Sequence, residues 1–220
     1  MSKQCTVPIV DWEESAFSVN RLIYYFLPAL DPPSIPKTDL VFAISANALK
    51  SQENFQQMKE IIKSMIDNYG TSSIHYAVIT FGNVPNIKIS FNDALVDDKT
   101  LLGLVDGAQK SSGALLDKAL EAAKLLLRTQ GRSDAKKVIV VITDKKSGSS
   151  PNDVENQAKA LENDNTKVIP VAFGKEADVA ECIAITPNKE NLVSVDEGDN
   201  PSVTAEIILR KALKGIISIG

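Results

Sequence analysis

The sequence predicts a doubly wound α/β domain, a mostly parallel six-stranded sheet with one antiparallel edge strand and helices on both faces. Three observations carry this. Short, almost wholly apolar runs recur (DLVFAIS from Asp39, KVIVVIT from Lys137, KVIPVAF from Lys167), and strands apolar on both sides belong in a sheet covered on both sides. Between them lie segments with apolar residues at helical spacing, clearest in Phe55, Met58, Ile61, Ile62, Met65 and Ile66. The connections are short, and alternating β and α elements with short loops make a parallel sheet by right-handed crossovers.

In order, residues 11–30 read as a helix, with Asp11 as N-cap, Glu14 at the capping-box position and an apolar face including Trp12, Phe17, Leu22 and Phe26. Two roles are open to it: an arm packed on the domain or an exposed partner-binding helix. The proline-rich DPPSIPKT, residues 31–38, reads as an extended connector. The chain therefore divides into an N-terminal extension, residues 1–38, and a domain, residues 39–220.

The domain opens with a strand at Asp39 to Ile44, a loop at Ser45 to Lys50 and the long helix after Ser51. Tyr69 to Thr71 form a turn, Ile74 to Phe81 a second strand, and Ile87 to Phe91 an edge strand in an antiparallel hairpin, because GNVPN is too short for a crossover helix. Helices are expected at Asp97 to Val105 and at Gly113 to Arg128, the latter ended by Gly131. Lys137 to Thr143 is the most apolar strand and belongs mid-sheet; Ser150 as N-cap and Pro151 at the first helical position then start a helix to about Glu162. Lys167 to Phe173, Glu176 to Ile185, Leu192 to Val195 and Pro201 to Ile217 complete the strand, helix, strand, helix series.

Composition excludes several functions. A net charge of −4, from 24 Lys and Arg against 28 Asp and Glu, is not the basic footprint of a nucleic-acid binder. No apolar run approaches the roughly 20 residues of a membrane span. The two cysteines, Cys5 and Cys182, cannot form a disulfide framework, but they allow either one bridge tying the extension to the domain or two separate thiols.

A doubly wound sheet binds ligands at the carboxyl ends of its strands, which here selects the loops after Ile44, Gly107 and Thr143. The first of these holds no glycine, so neither a dinucleotide fingerprint nor a phosphate cradle is present. The single histidine, His75, opens its strand at the opposite edge from Ser45 and Asp144, so no Ser, His, Asp triad forms. Neither cysteine lies near that histidine in the pattern, which removes the usual thiol chemistry and zinc sites. No pair of titratable groups marks the ligand face, so no enzyme is expected. The candidate ligand-face residues are Ser45, Asn47, Lys50, Asp144 and Lys145, and adjacency suggests that Lys145 or Lys146 pairs with Asp144.

Over roughly residues 39–217, the runs DLVFAIS, SQENFQQMKEIIKSMI, YAVITFG, DKALEAA and KKVIVVITDKKSG resemble the von Willebrand factor type A domain, a family that includes integrin I domains and the A domains of matrilins and matrix collagens. The resemblance implies the fold above and a non-enzymatic adhesion or matrix module that binds a protein, for example a matrix protein such as collagen. It also implies an extracellular setting, with the secretion signal removed from the mature chain. The alternative is a cytoplasmic scaffold subunit of a larger assembly, motivated by the lack of a signal sequence and of any N-x-S/T acceptor.

The family's metal-ion-dependent adhesion site uses D-x-S-x-S after the first strand, a threonine before the third helix and an aspartate after the fourth strand. Here Ser45 stands for that aspartate, Asn47 and Leu49 for the serines, and Ala114 or its neighbour Leu116 for the threonine; Asp144 is retained, followed by Lys145 in place of glycine. The site keeps one of two carboxylates, and hard cations need several oxygen ligands. The expectation is a degenerate site with no cofactor, leaving only weak residual magnesium or calcium binding at Asp144 open.

Overall fold

The computed structural model describes residues 35–47, 52–93 and 97–214. The expected helix at residues 11–30, the first four residues of the connector, Cys5, Leu49 and Lys50 lie outside the described residues.

Six strands form one sheet: β1 Thr38–Ser45, β2 Ile74–Phe81, β3 Pro85–Ile89, β4 Lys136–Thr143, β5 Lys167–Phe173 and β6 Val193–Val195, in the order β3-β2-β1-β4-β5-β6. Every pairing is parallel except β2 with β3. β1 and β4 sit mid-sheet, and all eight residues of β1 are buried. The helices are α1 Gln52–Tyr69, α2 Asp98–Asp106, α3 Leu116–Thr129, α4 Pro151–Asn163, α5 Val179–Ala184 and α6 Pro201–Leu213.

Alternation along β1 feeds two cores. Leu40, Phe42 and Ile44 face α1, α2 and α6 through Met58, Ile62, Leu101 and Ile208, whereas Val41 and Ala43 face α3 and α4 through Leu120, Ala123, Val154 and Leu161. Fully burying one such aliphatic side chain stabilises by roughly 1.5 to 3 kcal/mol, so these two layers hold the sheet between its helices.

The element boundaries differ from expectation where tertiary contacts override local pattern. Helix α3 starts at Leu116 rather than Gly113, because Gly113 has φ +75 and its missing side chain makes room for Asn83, while the Leu115 N–H donates to the Gly82 carbonyl. β3 runs from Pro85 to Ile89 rather than from Ile87 to Phe91; the Asp93 carboxylate takes the Ser90 N–H and turns the chain. α5 begins at Val179, capped by Asp178, whose side chain accepts the Glu181 N–H at 3.0 Å. Ser150 does precede α4, but its side chain makes no capping hydrogen bond. α6 is described to Leu213, short of the expected Ile217.

Candidate functional site

Strand order reverses between β1 and β4, so the carboxyl ends of these two neighbours form a shared crevice. Ser45, the last residue of β1, donates its hydroxyl to Oδ1 of Asp144, just beyond β4, at 3.2 Å. Both are buried, at 2% and 6% exposure. Asn47 is buried too and forms an isolated parallel bridge with Ser111, whose N–H donates to the Ala46 carbonyl at 2.5 Å. The Gly148 N–H donates to the Ala114 carbonyl at 2.7 Å. The loops after β1, α2 and β4 thus meet by backbone bonds, bringing together Ser45, Asn47, Ala114 and Asp144 from widely separated positions.

Their chemistry is sparse. Ala114 is buried and presents only a methyl group, and Leu116 is a core residue against α3's own layer. Lys145 is half-buried, and its carbonyl accepts the Thr143 hydroxyl at 2.7 Å, which bends the chain as it leaves β4. The expected pairing of Asp144 with a following lysine is corrected by the structure. Lys146 approaches Asp178 at 3.9 Å, and among the described residues Asp144 makes no ion pair. The turn directs Lys146 towards α5, whose cap supplies the carboxylate. Further along, the Ser147 N–H and hydroxyl both donate to Glu181, and the Ser149 hydroxyl donates to Asp117, so the loop is anchored at both flanks.

Sequence reasoning missed Ser111 and Ser112. Ser112 accepts from Asn83 Nδ2 at 3.4 Å, and the Ser111 hydroxyl is buried without a hydrogen-bond partner. The signal available was the hydroxyl pair directly before Gly113, at the top of a helix. Cys182 is buried and has no disulfide partner among the described residues, Cys5 lying outside them; burial first, then Glu181 and Asp178, push the pKa of its thiol up to about 12.

A helix-flanked, mostly parallel sheet with a crevice at the carboxyl ends of its central strands defines a doubly wound α/β module. Residues 39–206 match the model of the von Willebrand factor type A domain. The chain belongs to that family. It is similar to the collagen alpha-1(XX) chain of Mus musculus, 25% identical over 177 residues, covering 76% of this chain and 13% of the collagen. The collagen alpha-1(XXI) chain of Homo sapiens is 24% identical over 150 residues, covering 67% of this chain and 15% of the collagen. The chain thus spans about one seventh of these relatives' length.

Among solved structures, proximal thread matrix protein 1 from the mussel byssus, with a zinc-occupied MIDAS motif, superposes with TM-score 0.70 at 21% identity, covering 81% of this chain and 46% of that one. The manganese-loaded TRAP protein of Plasmodium vivax gives TM-score 0.65 at 15% identity, covering 78% and 73%. At such identities the two superpositions establish the fold alone. Among the described residues, no helix is long and apolar enough to cross a membrane.

Proposed function

We propose that this chain is a non-enzymatic adhesion or matrix module that binds a protein partner without a metal ion. The observation that carries this reading is the donor set at the crevice: one carboxylate, Asp144, with the neutral side chains of Ser45 and Asn47, beside an alanine methyl at Ala114. Magnesium demands near-octahedral oxygen ligation and calcium six to eight oxygens, and one carboxylate among neutral groups holds either poorly. Among the described residues, no group of three His, Cys, Asp or Glu side chains could hold a metal ion. These residues do not fit the divalent ion that the family's adhesion site takes, and binding falls to the loop face of Ser45, Asn47, Lys50, Asp144 and Lys145.

The collagen relatives support an extracellular setting and a matrix partner such as collagen. A cytoplasmic scaffold is the alternative, and the oxidation state of Cys5 and Cys182 in protein from its native source separates the two, since stable disulfides are rare in the cytosol.

A ligand selective for the folded state raises its melting temperature. Millimolar magnesium, calcium or manganese is therefore expected to leave the melting temperature unchanged. Immobilised chain should capture the same proteins from matrix extract with and without chelator. An upward thermal shift with any of these ions, or capture abolished by chelator, overturns metal independence.

A further inference from the structure

Away from the crevice, α3 and α4 lie on the Val41 and Ala43 side of the sheet and leave a groove of about 370 Å³ between them. Glu121, Leu125 and Arg128 of α3 form one wall, and Asn156, Gln157 and Ala160 of α4 form the other. Lys124 reaches Asp164, just past the end of α4, at 3.6 Å and ties the two helices together, which fixes the width of the groove.

The outer face of α3 carries a pattern. Lys118, Glu121, Leu125 and Arg128 are all exposed and follow one another at spacings of three, four and three residues, so they share one stripe along the helix. Leu125, in the middle of it, is 59% exposed. A single exposed leucine is common on a soluble protein. This one stands beside an open groove, with a carboxylate one turn before it and a guanidinium one turn after it. Arg128 suits the negative end of its own helix but forms no ion pair among the described residues. Glu121 meets Lys118 at 3.1 Å, and both side chains are more than half exposed, a pairing in water that is readily exchanged.

This stripe is complementary to itself. A two-fold axis midway between Glu121 and Arg128 passes beside Leu125. Two copies of α3 laid antiparallel about that axis bring each Glu121 opposite Arg128 of the other copy, and each Leu125 to the other's groove. The centre of the contact is then apolar and its rim carries opposite charges, as in specific interfaces generally.

We propose that the face formed by α3 and α4 is a self-association surface, on which a second copy of this chain seats antiparallel, with Leu125 in the facing groove and Glu121 against Arg128 of the other copy. A contact built on one helix pair and its flanking groove is smaller than a standard interface, so the dimer forms at micromolar concentration or above. The groove contains none of Ser45, Asn47 and Asp144, so each copy keeps its loop face and the pair is bivalent.

Sedimentation equilibrium of the full chain, from low micromolar to near-millimolar concentration, tests this. The weight-average mass should climb towards twice that of the chain, and Leu125→Asp should hold it at the monomer value throughout. Glu121→Arg and Arg128→Glu each set like charges opposite one another at both pairs, and each should weaken the dimer by more than about tenfold. Combined in one chain they restore opposite signs, and the double variant should return to within about threefold of the wild type. All three positions are exposed, and circular dichroism reports that each variant is folded.

A mass that stays at the monomer value at every concentration overturns the proposal. A dimer that survives Leu125→Asp uses another surface and overturns it too, as does a double charge reversal that associates no more tightly than either single one.

Discussion

Asp39 lies in β1 near one end of the sheet and Asp144 follows β4 at the other; both are buried, at 0% and 6% exposure. Asp39 is fully compensated. Arg132 donates its N–H to Oδ2 at 2.5 Å and its Nε to Oδ1 at 2.7 Å, and its terminal nitrogen reaches the Thr38 and Ser73 carbonyls at 2.8 and 3.0 Å. One guanidinium thereby ties together the starts of β1 and β2 and the loop after α3. Asp144 has a single neutral hydroxyl. The contrast separates a carboxylate that holds the fold through a cation from one that has a single neutral donor among the described residues at the other end of the sheet.

The largest effect is expected from removing the cation at Asp39. Arg132→Ala leaves a carboxylate with 1% side-chain exposure unpaired and two backbone carbonyls without their donor. Breaking a buried pair on one side costs about 3 to 5 kcal/mol, readable by urea denaturation. A loss below about 1 kcal/mol would erase the contrast between the two ends.

Next is Gly131→Ala, whose added methyl would run into the Leu127 carbonyl and sit 3.2 Å from Asp39 Oδ2. Crowding of this kind costs about 1 to 3 kcal/mol, and the same denaturation experiment reads it. Asp144→Asn should behave oppositely. Losing a poorly compensated charge is expected to leave stability unchanged or raise it by up to about 1 kcal/mol, with or without magnesium. A destabilisation as large as that of Arg132→Ala would mean that Asp144 is as fully partnered as Asp39.

The smallest effect concerns His75, which pairs in register with Asp39 across β1 and β2. Burial first, then the Arg132 charge, lower its pKa from the ordinary histidine value, and Asp39 pulls the other way. The unfolded chain therefore protonates first on acidification. The contribution of neutral His75 is whole above the unfolded pKa of about 6.5 and is lost as pH falls from there through the lower folded value. A stability profile in which His75→Gln keeps the full slope between pH 7 and 5 would refute this. In Arg132→Ala the histidine titration, followed by NMR, should move upward.

The fold was legible because its signals are local and periodic. The apolar runs at Asp39, Ile74, Lys137 and Lys167 became strands in the expected order, and Phe55 to Ile66 became the buried face of α1. The hairpin was legible from the brevity of its turn. The candidate site was legible in part: β-α alternation selected the loops that meet around Ser45, Asn47, Ala114 and Asp144. Ser111 and Ser112 escaped because hydroxyl residues in a loop carry no period, and their place depends on the approach of Ala46 and Asn83. Lys146 was assigned to its chain neighbour, whereas the cap of α5 supplied a carboxylate in space.

By itself, then, the sequence determined the strand and helix series, the parallel sheet with one antiparallel edge, and the residue types available at the crevice, since each follows from propensity, periodicity and loop length. Only the tertiary structure decided which carboxylate receives a cation. Arg132 reaches Asp39 across 93 positions of sequence, and Ser45 reaches Asp144 across 99. Charge compensation depends on distances set by packing, and no local pattern encodes them.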